Sequence, residues 1–349
     1  MKIAFGAFDW GLGHATRDIP VVKALLEKGN SVDIISTGKA LEVLRLHLGR
    51  KCRYFDVPSV YPPYSRMGFF STKFLFCIPK MISNLKRARK ISSKIIEEGK
   101  YDRVISDCRF DVYDKKNNSV LFNHQLRFQS PLFPAVIEKA NKVLMRHYST
   151  VVVPDFPDRP LSGELSHNRH YDGRVEYIGH VSNLRKMSVK KDIDYFISVS
   201  GPEPQRSLFE KKVLKQLKFL DGSVVVACGN PSSDTIRREN GVLIYGYLRH
   251  PKQSEIMNRS KFIISRPGYT TVMEMVELGK TRAFFVPTPG QTEQEYLARM
   301  YREKGFYYSH AQSGMNLRKG IECSNEFRGF RPKWNTEKSI RKFVGIVNG

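Results

Sequence analysis

The first half of the chain alternates short apolar runs with amphipathic segments. The apolar runs predict strands at residues 2–8, 31–37, 53–57, 102–107, 119–123 and 150–154. Between the first two strands, Ile19, Val22 and Leu25 recur at helical spacing up to Gly29, a residue typical of a helix end. Strands that alternate with helices in this way favour a doubly wound parallel sheet.

A second alternating series fills the C-terminal half, after a connector at 155–190 that is rich in Pro, Arg, Asn and His. Its strands are predicted at 194–200, 223–227, 243–247, 261–265 and 282–286. An amphipathic segment at 334–347 predicts a terminal helix. We therefore predict an α/β protein with two Rossmann-like, doubly wound domains. The N-terminal domain takes residues 1–175, which the helix at 334–349 could complete, and the C-terminal domain takes 176–333.

Composition agrees with two soluble domains, since the chain has 349 residues, 41% of them hydrophobic and 26% charged. The five cysteines are scattered without a CxxC pair, which predicts a reduced compartment and neither a disulfide framework nor a zinc site. The N-terminus has no signal-peptide pattern, and the most apolar later stretch, 67–79, is interrupted by Lys73 and is too short to cross a bilayer. We therefore expect a cytoplasmic protein whose membrane contact, if any, is peripheral and on the inner face.

The formal net charge of +24 predicts anionic partners: nucleotide phosphates, lipid head groups or nucleic acid. Charge alone does not choose among these three. A nucleic-acid-binding protein is therefore one hypothesis, but the cations are spread through the chain and no RNA- or DNA-binding motif is present. We expect no nucleic-acid partner.

The segment at 61–100 combines aromatic, apolar and basic residues. Its aromatic part runs from Tyr61 to Phe76, and an apolar helical stripe follows with lysines and arginines among it. One interpretation is a helix that faces the core and presents a solvated basic side. The other is an interfacial patch that inserts aromatic side chains into an anionic membrane surface while its cations meet the head groups. The sequence leaves both interpretations open.

The stretch at 266–294 collects polar groups at one predicted sheet edge. Gly268 lies in a turn before a helix that carries Thr270, Thr271 and Glu274. The start of a helix offers N–H groups to a phosphate, and ligands of α/β sheets bind at the carboxyl ends of strands. Glu274 is placed to accept both hydroxyls of a ribose. The alternative is an ordinary acidic residue that the helix dipole favours.

The loop after the first strand carries Gly11, Gly13 and His14. Glycines let a ligand approach the backbone, and a histidine at a helix start can accept a proton near neutral pH. The alternative is an ordinary glycine turn with a capping histidine. Asp107 ends a strand at the same edge and could assist such a base, although an aspartate there is more often a cap. His124, after the next strand, has the same two interpretations.

Neither a cofactor nor a metal is expected. The glycine loop is not a full GxGxxG motif, which argues against a dinucleotide cofactor. The other histidines form no cluster of metal-ligand spacing, and no loop holds a DxD-like acidic pair.

These residues resemble a known family. The segments 265–274 (SRPGYTTVME), 284–287 and 291–294 are similar to the donor-binding signature of GT-B glycosyltransferases of the family 28 type. That group includes the enzyme that adds N-acetylglucosamine to the lipid-linked peptidoglycan precursor. The loop at 11–14 resembles the family's N-terminal glycine loop, and 174–179 resembles its interdomain crossover. The resemblance spans nearly the whole chain and is most specific in the C-terminal signature.

The resemblance implies two Rossmann-like domains that face a central cleft, with a nucleotide sugar on the C-terminal domain. This donor is usually a UDP-sugar, such as UDP-N-acetylglucosamine. By position, Glu274 would hold the ribose, 268–271 the diphosphate, 245–248 the base, and Glu293 with Gln294 the sugar. The implied catalytic residues are His14 and Asp107, and the implied donor-binding residues are Gly13, Arg206, Tyr245, Leu248, Arg266, Gly268, Thr270, Thr271, Glu274, Glu293 and Gln294.

One loop departs from the family pattern. Where the family commonly has a Gly-Gly-Ser-Gln type sequence, residues 201–206 read Gly-Pro-Glu-Pro-Gln-Arg. Two prolines remove backbone donors and Glu203 adds a negative charge, so a phosphate contact here requires Arg206 to compensate.

The implied reaction is inverting glycosyl transfer without a metal ion. A base removes the proton of an acceptor hydroxyl, while helix N-termini and arginines stabilise the departing diphosphate. A glycolipid, a polyprenyl phosphate sugar and a protein all stay open as acceptor, with the segment at 61–100 favouring a lipid-linked or membrane-associated one. The main alternative on the same fold is a UDP-sugar epimerase or hydrolase.

Overall fold

The computed structural model describes residues 1–9, 12–59, 70–116, 119–127, 134–158, 160–167, 173–230 and 232–349, with their side chains except at 70–78 and 134–137. The chain divides into two compact units. Unit 1 contains the described residues up to Asn183 together with Trp334–Gly349, and unit 2 contains Leu184–Lys333.

Unit 1 is a parallel sheet with helices along it. Its strands are β1 (Lys2–Gly6), β2 (Ser31–Ser36), β3 (Cys52–Asp56), β4 (Arg103–Asp107), β5 (Ser119–Phe122), β6 (Thr150–Val153) and β7 (Val175–Tyr177). They form one sheet in the order β3-β2-β1-β4-β5-β6-β7. The helices between them are α1 (Leu12–Glu27), α2 (Gly38–Leu48), α3 (Phe70–Gly99) and α4 (Pro134–Met145). This strand order is that of a Rossmann-like, doubly wound sheet.

The core of unit 1 forms from the apolar pattern of β1 and α1. Ile3 and Phe5 alternate along β1 and are fully buried on one face of the sheet. Ile19, Val22 and Leu25 of α1 lie in the same cluster, because residues three and four apart share one side of a helix.

Unit 2 repeats this architecture. Its strands are β8 (Ile193–Ser198), β9 (Val224–Ala227), β10 (Ile236–Glu239), β11 (Val242–Tyr245), β12 (Ser260–Ser265), β13 (Ala283–Phe285) and β14 (Tyr308–Ser309). They form one sheet in the order β10-β11-β9-β8-β12-β13-β14, in which only β10 is antiparallel to its neighbour. The helices are α5 (Gln205–Gln216), α6 (His250–Arg259), α7 (Tyr269–Glu277), α8 (Thr292–Glu303) and α9 (Leu317–Cys323).

The chain ends in α10 (Thr336–Asn348), which belongs to unit 1. Phe343, Val344 and Val347 lie in the core of that unit, and Phe343 packs edge-on against Phe122 of β5 with ring centroids 5.2 Å apart. The domain boundary differs from the one expected after residue 175. β7 is the seventh strand of unit 1 and Val181 lies in its core, so unit 1 continues to Asn183.

Part of the segment at 61–100 lies outside the described residues, which resume at Phe70 with α3. In the described part of this helix, Ala88 and Ile96 are buried in a core cluster while Lys86 and Lys90 are exposed. The described part therefore has a core-facing side and a solvated basic side. Among the described helices, none is both long and apolar enough to cross a membrane.

Candidate functional site

The carboxyl ends of β1 and β4 bring His14 and Asp107 together in unit 1. His14 lies in the first turn of α1, and Asp107 is the last residue of β4. Since β1 and β4 are parallel neighbours, the segments that follow them start at the same edge of the sheet. Nδ1 of His14 lies 2.8 Å from Oδ2 of Asp107. The residues predicted as catalytic base and assisting acid are thus in direct contact.

Arg17 joins this pair. Its Nη2 donates to Oδ1 of Asp107 and lies 3.1 Å from Nδ1 of His14. The side chain is 1% exposed, and its guanidinium lies over the ring of Phe122 at 4.7 Å. Arg17 was not predicted as a site residue, although its spacing of three residues from His14 puts both on one side of α1.

The charge of Asp107 fixes the tautomer of His14. Burial opposes ionisation, but Arg17 and His14 hold the pKa of the Asp107 carboxyl well below its usual range. An ionised carboxylate only accepts hydrogen bonds, so Nδ1 of His14 carries the proton and donates it to Asp107. Nε2 is then the nitrogen with a free lone pair. Since the side chain of His14 is 18% exposed, this lone pair is available to a substrate hydroxyl.

Three further residues border the pair. Asp18 is fully buried, and burial together with the charge of Asp107 raises the pKa of its carboxyl well above the usual value. Cys108 follows Asp107 with a φ of 54°, a left-handed conformation that is uncommon outside glycine. The ring centroid of His124 lies 6.5 Å from that of His14. Burial and the charge of Asp107 therefore both favour the protonated form of the Asp18 carboxyl.

The potential ligand atoms of His14, Asp107 and Cys108 lie within 4.8 Å of one another, close enough to consider a metal ion. Their chemistry does not fit one. The cation of Arg17 already neutralises Asp107. Burial, followed by the charge of Asp107, raises the pKa of the Cys108 thiol well above its usual value, and the thiol donates to Oδ1 of Asn123 at 3.3 Å. A bound metal would have to displace both contacts.

The glycine loop is only partly described. Gly11 lies outside the described residues. Gly13 lies in the first turn of α1, where its carbonyl accepts a hydrogen bond from Oγ1 of Thr16 at 3.0 Å. Gly13 belongs to unit 1, whereas the other predicted donor-binding residues belong to unit 2.

In unit 2, the start of α7 is open to a ligand. Gly268 is its N-cap and provides no side-chain cap. The first intrahelical hydrogen bond, from N of Val272 to O of Gly268 at 3.0 Å, leaves the preceding N–H groups without intrahelical partners. Thr270 and Thr271 in this turn are half-buried, and their hydroxyls make no hydrogen bond to any described residue. N–H groups without intrahelical partners and two hydroxyls suit a phosphate.

Glu274 lies one turn further along α7. It is 7% exposed, and burial raises the pKa of its carboxyl to about 7. Within the described part of the chain, no residue forms a hydrogen bond or ion pair with this carboxyl. A buried carboxyl without a partner is unfavourable, and two ligand hydroxyls would supply the missing hydrogen bonds.

Arg266 is not available to a ligand. All five donor positions of its guanidinium meet acceptors within unit 2 at 2.5–3.4 Å, and the side chain is 1% exposed. The acceptors are the carbonyls of Ser200, Gln205, Val286 and Pro287 and Oε1 of Gln312. Arg266 therefore ties together the loops that follow β8, β13 and β14, rather than facing the diphosphate as the resemblance implied.

Arg206 is also engaged within the protein. Its Nε donates to Glu203 at 2.6 Å, and its Nη1 donates to Glu210 at 2.6 Å and to the carbonyl of Cys228 at 2.8 Å. Glu203 in addition accepts from the N–H of Ser207 at 3.3 Å, in the first turn of α5. The carboxylate of Glu203 thus occupies the position at the start of α5 where a bound anion would accept hydrogen bonds. The positive charge of Arg206 neutralises Glu203 rather than a phosphate.

The remaining predicted residues have supporting positions. Tyr245 and Leu248 are 8% and 6% exposed, so their side chains pack in the interior beside the end of β11. Oε1 of Gln294 accepts from N of Thr288 at 2.9 Å, which holds the loop after β13 against the start of α8. Glu293 is half-buried in the same turn. Thr288 and Gln312 were missed, because a lone polar residue in a loop gives no sequence pattern.

Comparisons with known proteins agree with this architecture. Residues 204–337 match the sequence model described as the glycosyltransferase family 28 C-terminal domain. A curated relative from Methanosarcina mazei (strain Goe1), described as an uncharacterized glycosyltransferase, is 22% identical over 341 residues, with 88% of this chain and 84% of the relative covered.

Solved structures show the same fold over the whole chain. MurG of Acinetobacter baumannii matches with a TM-score of 0.59 and 14% identity, covering 100% of this chain and 99% of that one. CalG4, the calicheamicin glycosyltransferase, matches with a TM-score of 0.67 and 12% identity, covering 99% and 92%. SsfS6 of Streptomyces sp. SF2575, complexed with thymidine diphosphate, matches with a TM-score of 0.58 and 14% identity, covering 100% and 96%.

These matches confirm the predicted resemblance to GT-B glycosyltransferases of the family 28 type and the predicted fold of two Rossmann-like domains. The family match at 204–337 and the relative support a glycosyltransferase.

Proposed function

We propose that this chain transfers a sugar from a UDP-sugar, such as UDP-N-acetylglucosamine, to an acceptor hydroxyl with inversion and without a metal ion. The observation that carries the proposal is Glu274, a buried carboxyl with no partner among the described residues, one turn inside a helix whose first N–H groups have no intrahelical partners. In this assignment Glu274 accepts the ribose hydroxyls and the turn at Gly268 holds the diphosphate. Gln294 and Glu293 follow as contacts to the sugar.

In the proposed reaction, Nε2 of His14 removes the proton of the acceptor hydroxyl as its oxygen attacks the anomeric carbon. Asp107 holds the imidazole in the required tautomer and stabilises its protonated form. The bond from the anomeric carbon to the diphosphate breaks. The start of α7 stabilises the negative charge that develops on the leaving diphosphate. Since Arg266 and Arg206 are occupied, the helix N-terminus and the Thr270 and Thr271 hydroxyls take the role first assigned to those arginines.

For the acceptor we propose a lipid-linked or membrane-associated molecule on an anionic surface. The support comes from α3, on which Lys80, Lys86, Arg87 and Lys90 are exposed and Ile82 is 49% exposed. Cations next to an exposed apolar side chain suit an anionic interface.

Lys86→Glu with Lys90→Glu should abolish co-sedimentation with vesicles that contain anionic lipid. Lys211→Glu with Lys215→Glu, an equally spaced exposed pair on α5, should not.

The test begins with thermal unfolding in the presence of UDP-, GDP- and dTDP-sugars. A ligand that binds only the native state stabilises by about 2.7 kcal/mol at a concentration of 100 times its Kd. Products with the stabilising donor are then analysed with and without candidate acceptors. Donor consumption that needs an acceptor supports transfer. Free sugar without an acceptor would indicate a hydrolase, and an isomeric nucleotide sugar an epimerase. Glu274→Gln should lose the thermal shift.

A further inference from the structure

Arg17 places a positive charge directly against the nitrogen that His14 uses to bind Asp107. Its Nη2 lies 3.1 Å from Nδ1 of His14 and also donates to Oδ1 of Asp107. Because Nδ1 carries a proton for Asp107, Arg17 cannot also donate to it. The contact between Arg17 and His14 is therefore that of a cation with an imidazole rather than a hydrogen bond.

This arrangement makes two opposing contributions to the proton affinity of His14. The carboxylate of Asp107 favours the protonated imidazole, and the guanidinium of Arg17 disfavours it. A histidine paired with an uncompensated buried carboxylate would take up a proton at a higher pH and would be a poorer base near neutrality. Arg17 offsets that carboxylate and still leaves the hydrogen bond that sets the tautomer.

We propose that Arg17 is a positioning residue that keeps His14 neutral, and so able to act as a base, by balancing the charge of Asp107. The inference rests on the proposed function, since it concerns the same base. Arg17 itself is 1% exposed under the ring of Phe122, so it does not contact the donor or the acceptor. Its effect on the reaction passes through Asp107 and His14.

The other ionisable groups around His14 do not substitute for Arg17. Burial raises the pKa of the Asp18 carboxyl on α1 and of the Cys108 thiol after β4, which disfavours a negative charge on either group. His124 after β5 lies at a centroid distance of 6.5 Å, and the ring of Phe8 after β1 packs edge-on at 5.1 Å. Among these described neighbours, Arg17 is the fixed positive charge and Asp107 the fixed negative one.

The test is the pH dependence of kcat/KM in three proteins: native, Arg17→Gln and Arg17→Lys. Gln can still donate to Asp107 but carries no charge, whereas Lys keeps the charge. In Arg17→Gln the pH at which activity falls on the acid side should rise by about one unit. In Arg17→Lys it should stay near the native value. An unshifted profile in Arg17→Gln, or equal profiles in the two variants, would overturn the proposal.

A second pair of variants serves if Arg17→Gln does not fold. Asp107→Asn leaves the cation without its carboxylate, so the pH at which His14 takes up a proton should fall. Adding Arg17→Met to Asp107→Asn removes both charges, so the pH at which His14 takes up a proton should rise again. If this pH stays as low in the double variant as in Asp107→Asn, the role of Arg17 is contradicted. A cooperative thermal unfolding transition serves as the control for folding.

An activity-free readout separates this inference from the proposed function. The imidazole carbon signal of His14, assigned from its loss in His14→Asn, can be titrated by NMR in the native protein and in Arg17→Gln. If the titration shifts upward as expected but no donor and acceptor give transfer, the proposed function fails and the role of Arg17 stands. If transfer occurs but the His14 titration is the same in both proteins, the role of Arg17 fails alone.

Discussion

Nδ1 of His14 lies 2.8 Å from Oδ2 of Asp107, across 93 residues of sequence. The contact exists because β1 and β4 are parallel neighbours, so the first turn of α1 and the last residue of β4 meet at one sheet edge. Two residues of ambiguous meaning in the sequence thus have the geometry of a base and of the acid that orients it. The reaction that we propose depends on this tautomer.

We predict that Asp107→Asn lowers kcat by about 10²- to 10⁴-fold. An amide can donate to Nδ1 and thereby select the tautomer with its proton on Nε2, which removes the base. The Kd for UDP, measured by calorimetry, should not change, because that site lies in unit 2. Asp56→Asn, at the exposed end of β3, is the matched control and should keep full activity. Equal losses in kcat and UDP affinity would contradict the assignment.

The strands could be predicted from the sequence because buried parallel strands are continuous apolar runs. β10 was missed because all four of its residues are exposed, so no alternation marks it. The two residues of β14 are too few to give a period. The boundary expected after residue 175 differs from the end of unit 1 at Asn183, because the residues of β7 are half-buried or exposed and nothing local shows that this strand pairs with β6.

The site was less accessible to sequence reasoning than the fold. Residue type suggested that Arg266 and Arg206 would face a diphosphate. Acceptors from distant segments occupy Arg266, whereas the neighbouring Glu203 and Glu210 occupy Arg206. Glu274 was recognisable because its helix position and the family signature coincide. Arg17 was missed because its partner, Asp107, comes from a strand 90 residues away.

Glu274→Gln should weaken UDP binding at pH 8 by about 10- to 100-fold, since a carboxylate that accepts ribose hydroxyls contributes charged hydrogen bonds. The pKa of Glu274 is raised to about 7 by burial, and the ribose selects the ionised form. Affinity of the native protein should therefore fall about tenfold per pH unit below 7, relative to the variant. Calorimetric titration from pH 5.5 to 8.5 measures both.

The comparison with Glu274→Gln removes the protonation of UDP itself, which is common to both proteins. Glu277→Gln, three residues later on α7, is the control and should follow the native curve. Parallel pH curves for the native protein and Glu274→Gln would show that this carboxyl does not bind the ribose.

Arg266→Lys should destabilise unit 2 by about 2–4 kcal/mol, because an ammonium has three donors where the guanidinium uses five. Calorimetry should show this as a lower Tm of the unit 2 transition. Arg318→Lys, an exposed pair with Glu322 on α9, should change stability by less than about 0.5 kcal/mol. An unchanged Tm with lost UDP binding would instead support a direct contact between Arg266 and the donor.

Transfer should not require a divalent ion. The helix start at Gly268 and the threonine hydroxyls are proposed to hold the diphosphate, and Asp107 is already neutralised by Arg17. Initial rates in EDTA should therefore lie within about twofold of those with added magnesium or manganese, a small difference on the scale of catalytic effects. Activity lost in EDTA and restored by manganese would contradict the proposal.

Asp18→Asn should stabilise the protein at neutral pH. The folded pKa of Asp18 is raised by burial and by Asp107, so the native state binds a proton that the unfolded state releases above about pH 4. Stability is therefore lost as pH rises. The variant removes this loss, so its gain in stability should be absent near pH 4 and should grow towards pH 8. Thermal unfolding of both proteins from pH 4 to 8 measures the difference. Asp221→Asn, at an exposed position, is the control and should show no pH-dependent gain in stability. A gain in stability for Asp18→Asn that did not grow with pH would mean that Asp18 is ionised in the folded protein.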